Sequence, residues 1–178
     1  MQICLNDKIF SILSGVVTEE HLEAWVIGGY VRDLLLERDH PDKDIDILVL
    51  GNGIAFARKV AKKLGPGIKV SVFRNFGTAM LRYREYELEF VGARKESYNR
   101  DSRKPTVECG TLEDDQRRRD FTINTLAVSL NGSSFGEFLD PFNGYEDLRN
   151  GLMTSPLKPG QTFSDDPLRM MRAIRFAT

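Results

Sequence analysis

The sequence predicts an α+β domain: a mixed, mainly antiparallel sheet flanked by helices. Three observations carry this. Short apolar runs alternate first with amphipathic segments and later with each other, so strands are joined by helices early and by hairpins afterwards. Two of those runs, 78–83 and 86–93, are separated only by Arg84 and Glu85, the length of a tight hairpin loop. Hydrophobic residues make up 41% and charged residues 29% of 178, which suits one globular domain or one domain and the start of another. A chain of this length buries roughly 70% of its unfolded surface and needs no covalent staples.

Taken in order, Ile9, Ile12, Leu13, Val16 and Val17 form a helical stripe. AWVIGG is a short buried strand that ends in two glycines, and Tyr30 to Glu37 is helical, with Val31, Leu34 and Leu35 on one face. ERDHPDKD is a polar loop holding Pro41. DIDILVLG is a strand that begins with alternating acids and ends fully apolar. Ile54 to Leu64 is a helix stopped by Gly65–Pro66–Gly67. Ile68 to Phe73 and the hairpin pair then complete a five-stranded sheet. Residues 94–116 are dense in charge and poor in large apolar groups, so they are expected to form a long mobile loop. From Arg117 towards Leu130 the expectation is a helix, at least at its start.

Charge is balanced, with 25 Lys+Arg against 26 Asp+Glu. That excludes a polybasic nucleic-acid coat but not a local basic groove. Two cysteines, Cys4 and Cys109, form no CxxC pair, so a disulfide framework and a zinc ribbon are not expected and a reducing cytoplasm is. No stretch reaches the ~20 apolar residues of a membrane span. The last residues, DDPLRMMRAIRFAT, read as a helix without a stop signal; the expectation is an N-terminal piece of a longer protein.

Asp44 and Asp46 carry the first chemistry. Two residues apart on a strand, they share a face and sit about 7 Å apart along it. Such a pair repels unless a cation sits between, and Mg²⁺ prefers oxygen ligands; the simpler alternative is two solvated acids at a strand end. Gly28-Gly29-Tyr30-Val31-Arg32-Asp33 supplies a second feature. Glycines between a strand and a helix let phosphate approach the backbone, and Arg32, one turn in, can add a bidentate contact. The simpler alternative there is a tight turn with Arg32 paired to Asp33.

GGYVRDLLL followed by DKDIDILVL resembles the polymerase-β-like nucleotidyltransferases. Within them it is similar to the class containing bacterial tRNA nucleotidyltransferases (CCA-adding enzymes) and poly(A) polymerases. RRRDFTINTLAV, DPFNGYEDL and SDDPLRMMRAIRFA continue the pattern in order, from about Trp25 to the last residue. The resemblance implies a nucleotidyltransferase head over 1–154 and, over 155–178, the first helix of an all-α neck that reads the nucleotide base. It implies Mg²⁺ held by Asp44 and Asp46, and a third carboxylate, for which Glu89 is the best match and Glu87 the rival. The triphosphate would be gripped by Gly28, Gly29, Arg32 and Arg119, with Asp33 also counted in the nucleotide site, Arg117 and Arg118 merely solvated and Asp120 equally able to cap a helix. Asn124 matches the motif, although a buried side chain tying loops together is an equal reading.

On the final helix the family pattern Glu-Asp-x-x-Arg appears as Asp165-Asp166-Pro167-Leu168-Arg169, one methylene shorter at its first position. Asp166 and Arg169, three apart, offer acceptor and donors to a base edge; Asp166 is also a natural helix cap before Pro167. Arg172 and Arg175 match arginines that the family points at the nucleotide, or else form a solvated stripe opposite Met170, Met171, Ile174 and Phe176. The implied substrates are CTP, ATP and a tRNA 3′ end, with no membrane involvement. VFRNFGTAMLRY is similar to the plain FGT type of CCA-adding enzymes, without the arginine-rich stretch of the poly(A) polymerases. Full CCA, CC-only, A-only and poly(A) addition stay open here, as do a non-catalytic nucleotide-binding module and a DxD glycosyltransferase.

Overall fold

A computed structural model describes residues 1–38, 43–97 and 106–177. The N-terminal helix α1 (Lys8–Glu19) buries Ile9, Phe10, Leu13, Val16 and Val17, the stripe anticipated from the sequence. Strand β1 (Ala24–Ile27) is buried at every position. It leads through Gly28 into α2 (Gly29–Leu35), then to β2 (Lys43–Val49), α3 (Gly53–Leu64), β3 (Val70–Phe73), β4 (Thr78–Tyr83) and β5 (Tyr86–Gly92). Asn52 caps α3, its side chain accepting from the Ala55 amide. The β4–β5 turn is as short as the sequence required, and Arg84 takes a left-handed φ of 55° to close it.

The chain beyond Gly92 departs from expectation. Strands β6 (Arg94–Ser97) and β7 (Thr106–Cys109) pair antiparallel as a separate ribbon. Helix α4 (Leu112–Arg117) follows, opened by a reciprocal capping box between Thr111 and Asp114. What reads as one charged loop is therefore ordered by local hydrogen bonds that hydrophobicity does not register; 98–105 lie outside the described residues. The expected helix from Arg117 is also corrected. Helix α4 ends there, Thr122–Asn124 make one 3-10 turn, and Ala127–Ser129 form strand β8, buried at every residue. Strand β9 (Phe138–Leu139) pairs with it. Helices α5 (Gly144–Asn150), α6 (Pro159–Asp165) and α7 (Leu168–Ala177) close the chain, so two helices rather than one occupy 155–178.

Among the described residues the main sheet has seven strands, not five, in the order β3-β4-β5-β2-β1-β8-β9. Every neighbouring pair is antiparallel except β2 and β5. Of the two extra strands, β8 comes from the segment read as helical and β9 from residues beyond it. One face of the sheet carries the main core, in which Ile45, Ile47, Ala79, Leu81, Leu88 and Phe90 meet α1 and α3. The opposite face has only a small cluster around Trp25, Ile27, Leu48, Ala93 and Ala127. The rest of that face is therefore left to polar groups. No described helix is long and apolar enough to cross a membrane.

Gly144 shows how tightly the segment behind the site is packed. A Cβ there would lie 2.2 Å from the Thr122 carbonyl oxygen, and backbone cannot move aside as a flexible side chain can. Gly144→Ala is therefore expected to cost about 1–3 kcal/mol, read as a lowered urea midpoint with unchanged slope.

Candidate nucleotide and metal site

The parallel register of β2 and β5 sets Asp44 opposite Glu87 and Asp46 opposite Glu89. Opposed residues share a face, so the four carboxylates lie on the open side of the sheet. Their surroundings separate the two candidate third acids. Glu87 is already engaged, its Oε2 accepting from Arg82 Nε at 2.5 Å. Glu89 is held by a Thr78 side-chain hydrogen bond beside Asp46.

Burial pushes the Asp46 carboxyl above its usual value; Arg119 pulls it back, and Asp44 and Asp115 push it further up. Burial and then the Asp46 charge likewise raise Glu89, against the Thr78 hydrogen bond and Arg94. Among the described residues no group of three or more His, Cys, Asp or Glu is gathered closely enough to hold a metal by itself. That is compatible with Mg²⁺, which takes one or two carboxylates and completes its shell with water and substrate phosphate. Two acids on one face, one of them desolvated against like charge, fit such an ion.

Beside Asp46 the chain turns at Gly28 with φ 82° and ψ −134°, a conformation open to glycine. A Cβ there would stand 2.9 Å from Arg119 Nη1 and 3.3 Å from Asp46 Oδ2. Glycine thus lets the strand end, a carboxylate and a guanidinium converge. Next to this turn is a cleft of about 510 Å³, to which α2 contributes Gly29 and Arg32, and α7 contributes Arg169, Arg172, Arg175 and Phe176. Arg118, Arg119, Asp120 and Asn124 form its back wall, and Asp46 and Asp166 reach its edge. Six guanidinium groups against three carboxylates make it a place for a polyanion. Gly28, Asp33, Asp44 and Glu89 do not line it.

These guanidinium groups are held in place from behind. Asp33 accepts from Arg32 Nε at 2.7 Å and from Nη2 at 2.8 Å, while Arg32 Nη1 donates to Asn124 Oδ1 at 2.7 Å. Asp33 therefore orients Arg32 rather than facing the cleft. Asn124 Nδ2 donates to Asp120 Oδ1 at 3.0 Å, and Arg172 Nε donates to Asp120 Oδ2 at 2.6 Å. Burial alone would raise the Asp120 carboxyl, but Asn124, Arg172 and the Phe121 amide outweigh it and hold it below its ordinary value. Asp115, fully buried, binds the guanidinium groups of both Arg118 and Arg119, and Arg119 Nη1 also donates to the Asn124 carbonyl at 3.1 Å.

Several sequence-based readings change here. Arg118 is not merely solvated; it lines the cleft, whereas Arg117 pairs at the surface with Glu113. Phe176 does not belong with Met170, Met171 and Ile174, which stay exposed. Its ring lies 4.8–5.2 Å from the guanidinium carbons of Arg32, Arg172 and Arg175 and meets Phe121 edge-on. Asp166 behaves as a helix start, accepting from the Leu168 amide at 3.1 Å. Arg169 Nη2 donates to the Arg118 carbonyl at 2.7 Å. Asp115 was missed, although its spacing of three and four residues before Arg118 and Arg119 was a usable signal.

Residues 24–154 match the family model described as the poly A polymerase head domain. The chain belongs to that family. It is 42% identical to an A-adding tRNA nucleotidyltransferase of Aquifex aeolicus over 88% of this chain and 18% of that protein. It is 34% identical to one of Halalkalibacterium halodurans over 97% of this chain and 43% of that protein. Among solved structures it resembles a tRNA-processing enzyme in its apo form, with a TM-score of 0.84 and 34% identity over 99% of this chain and 44% of that one. It also resembles a CCA-adding enzyme in complex with ATP, with a TM-score of 0.77 and 38% identity over 94% and 37%. The chain thus spans less than half the length of these relatives.

Because the Asp46 carboxyl is raised, its ionisation weakens the metal-free fold. The neutral form's advantage is present below the unfolded value of about 4 and is lost as pH rises through the higher folded value. Asp46→Asn should accordingly raise the melting temperature of metal-free protein at pH 7, and the gain should vanish below about pH 4. Melting curves with and without chelator across that range check it.

Proposed function

We propose that this protein is a template-independent RNA nucleotidyltransferase. The RNA 3′-hydroxyl oxygen would form a bond to the α-phosphorus of CTP or ATP, and the bond to the departing pyrophosphate would break. The carrying observation is that Asp46, which shares a strand face with Asp44, also lines a six-arginine cleft. The preferred substrate is a tRNA 3′ end, since the relatives are named A-adding and CCA-adding tRNA nucleotidyltransferases and similar structures are titled as complexes with tRNA, CTP or ATP. The reading also takes residues 1–154 as the catalytic head and 155–178 as the start of a neck, working in the cytoplasm.

In this reading Asp44 and Asp46 would hold Mg²⁺, which when bound would lower the pKa of the attacking hydroxyl and neutralise charge on the phosphates. Glu89 completes the carboxylate row on the side of the attacking oxygen. Arg32 and Arg119, fixed by Asp33, Asn124 and Asp115, grip the triphosphate without reorganising when it arrives. Gly28 and Gly29 let it close on the backbone. Arg172 and Arg175 face the same cleft from α7 and bring that helix onto the nucleotide.

Asp44→Ala or Asp46→Ala should each lower turnover by roughly 10³-fold or more, because losing a metal ligand removes several kcal/mol of charge stabilisation. Near-wild-type turnover of either variant in Mg²⁺ would defeat the catalytic assignment. A nucleotide-release assay with CTP, ATP and nucleotide sugars separates this reading from a glycosyltransferase and from a non-catalytic binder.

Base choice is assigned to Asp166, just before α7, and Arg169 on it. Phosphates are common to all four nucleotides, so selection requires groups that meet a base edge, and unpaired buried donors then reject the wrong base. Arg169→Ala should reduce the CTP/UTP ratio of kcat/KM while leaving triphosphate affinity in place. The bond from Arg169 to the Arg118 carbonyl supplies the competing view, an anchor of α7 on the head. An unchanged CTP/UTP ratio with lowered stability would establish that view instead.

A further inference from the structure

The cleft and the carboxylate row do not coincide. Asp46 belongs to both, but the cleft extends from it towards α2 and α7, whereas Glu89 lies on the opposite side, on β5. If the triphosphate fills the arginine side, the attacking strand must arrive from the other. The register across the sheet shows what it would meet. Met80 on β4 is opposite Glu89, Thr78 on β4 is opposite Phe73 on β3, and Ser71 is opposite Met80. These residues share the carboxylates' face, and β3 is the sheet edge. Ser71 stands two strand spacings from Glu89, and Phe73, two residues further along β3 and level with Val91, stands about 12 Å from the Glu89 position.

Phe73 is 43% exposed and Phe76, in the turn between β3 and β4, is 66% exposed. Neither ring has a packing reason to be aromatic: the core on the other face is filled by Val70 and Val72 of the same strand. The turn is a fixed support, with the Phe76 amide bonded to the Phe73 carbonyl at 3.0 Å and the Gly77 amide to the Arg74 carbonyl at 3.2 Å. Arg94 Nη1 donates to the Phe76 carbonyl at 3.2 Å. Exposed Arg74 and half-buried Arg94 thus place positive charge around two exposed rings, on the Glu89 side of the carboxylate row. Strand-borne aromatics beside cationic groups are how sheet faces hold unstacked bases of single-stranded RNA.

We propose that Phe73 and Phe76 form the stacking platform for the 3′-terminal base of the acceptor RNA, seating its hydroxyl beside Glu89. This rests on the nucleotidyltransferase reading and adds to it the subsite of the second substrate. Stacking accepts any base, which suits an end whose last residue changes with each addition.

In the full-length protein, Phe73→Ala and Phe76→Ala should each raise KM for the RNA about tenfold, with KM for the nucleotide unchanged. Phe73→Tyr and Phe76→Tyr, which keep the ring, should retain wild-type KM for the RNA. An RNA carrying 5-iodocytidine at its 3′ end should photo-crosslink to 70–78. If the alanine variants raise KM for the nucleotide instead, the rings serve the wrong substrate and the platform is refuted. Unchanged RNA KM, or a crosslink confined to other segments, refutes it as well. Wild-type protein that transfers no nucleotide defeats the reading beneath; active wild type with indifferent variants defeats only the platform.

Discussion

Mutual repulsion among carboxylates on adjacent strands is the constraint around which this fold is organised. Parallel pairing of β2 with β5 aligns Asp44 with Glu87 and Asp46 with Glu89, and partial burial makes the inner pair more costly to ionise. No apolar packing could compensate that on the same face, so the face is left open and polar groups gather round it. Arg82 neutralises Glu87, Thr78 holds Glu89, and Arg119 approaches Asp46 across the Gly28 turn. The opposite face, packed by α1 and α3, carries the stability that the open face lacks.

The cations then need their own restraint, and two acids behind the cleft supply it. Asp115 on α4 binds Arg118 and Arg119; Asp120 binds Asn124 and Arg172. Both acids are largely buried, where breaking one side of a charge pair costs more than the pair itself contributes. Their value lies in geometry, since a guanidinium fixed before the substrate arrives loses less freedom on binding. Asp120 also joins α2 to α7 through Asn124, so the helix carrying Arg169 cannot shift without disturbing Arg32.

Much of this was legible in the sequence because periodicity and local chemistry agreed. Strand β1 is an unbroken apolar run, β2 to β5 carry apolar alternation, and the Gly28-Gly29 turn, Asp44 and Asp46 announce themselves by residue type. The segment after Gly92 was not legible for identifiable reasons. Its order comes from a capping box at Thr111 and from the β6–β7 ribbon, neither of which raises hydrophobicity. Strand β8 has three residues, too few for a period to show. Phe176 looked like part of an apolar stripe, because composition cannot tell a ring that packs on oil from one that packs on guanidinium groups.

Asp46 is the one acid that touches both halves of the site, and this explains its double environment. Towards the cleft it faces Arg119, and towards β5 it faces Glu89. In the proposed reaction an anion on the first side would meet six guanidinium groups, and a hydroxyl arriving on the second would meet carboxylates, exposed aromatic rings and the fewer arginines Arg74, Arg82 and Arg94, of which Arg82 is already paired with Glu87. The triphosphate would thereby be drawn more strongly to the cleft side than to the Glu89 side, so charge density helps to assign each proposed substrate its entrance. A sheet with equally dense arginine clusters on both flanks of Asp46 could bind nucleotide in two senses, one of them unproductive. The asymmetry follows from topology: β1 and β8 lie on the side of the cationic helices and turns, β4 and β3 on the other. The order of the strands thus sets the direction in which the proposed reaction would run across the sheet.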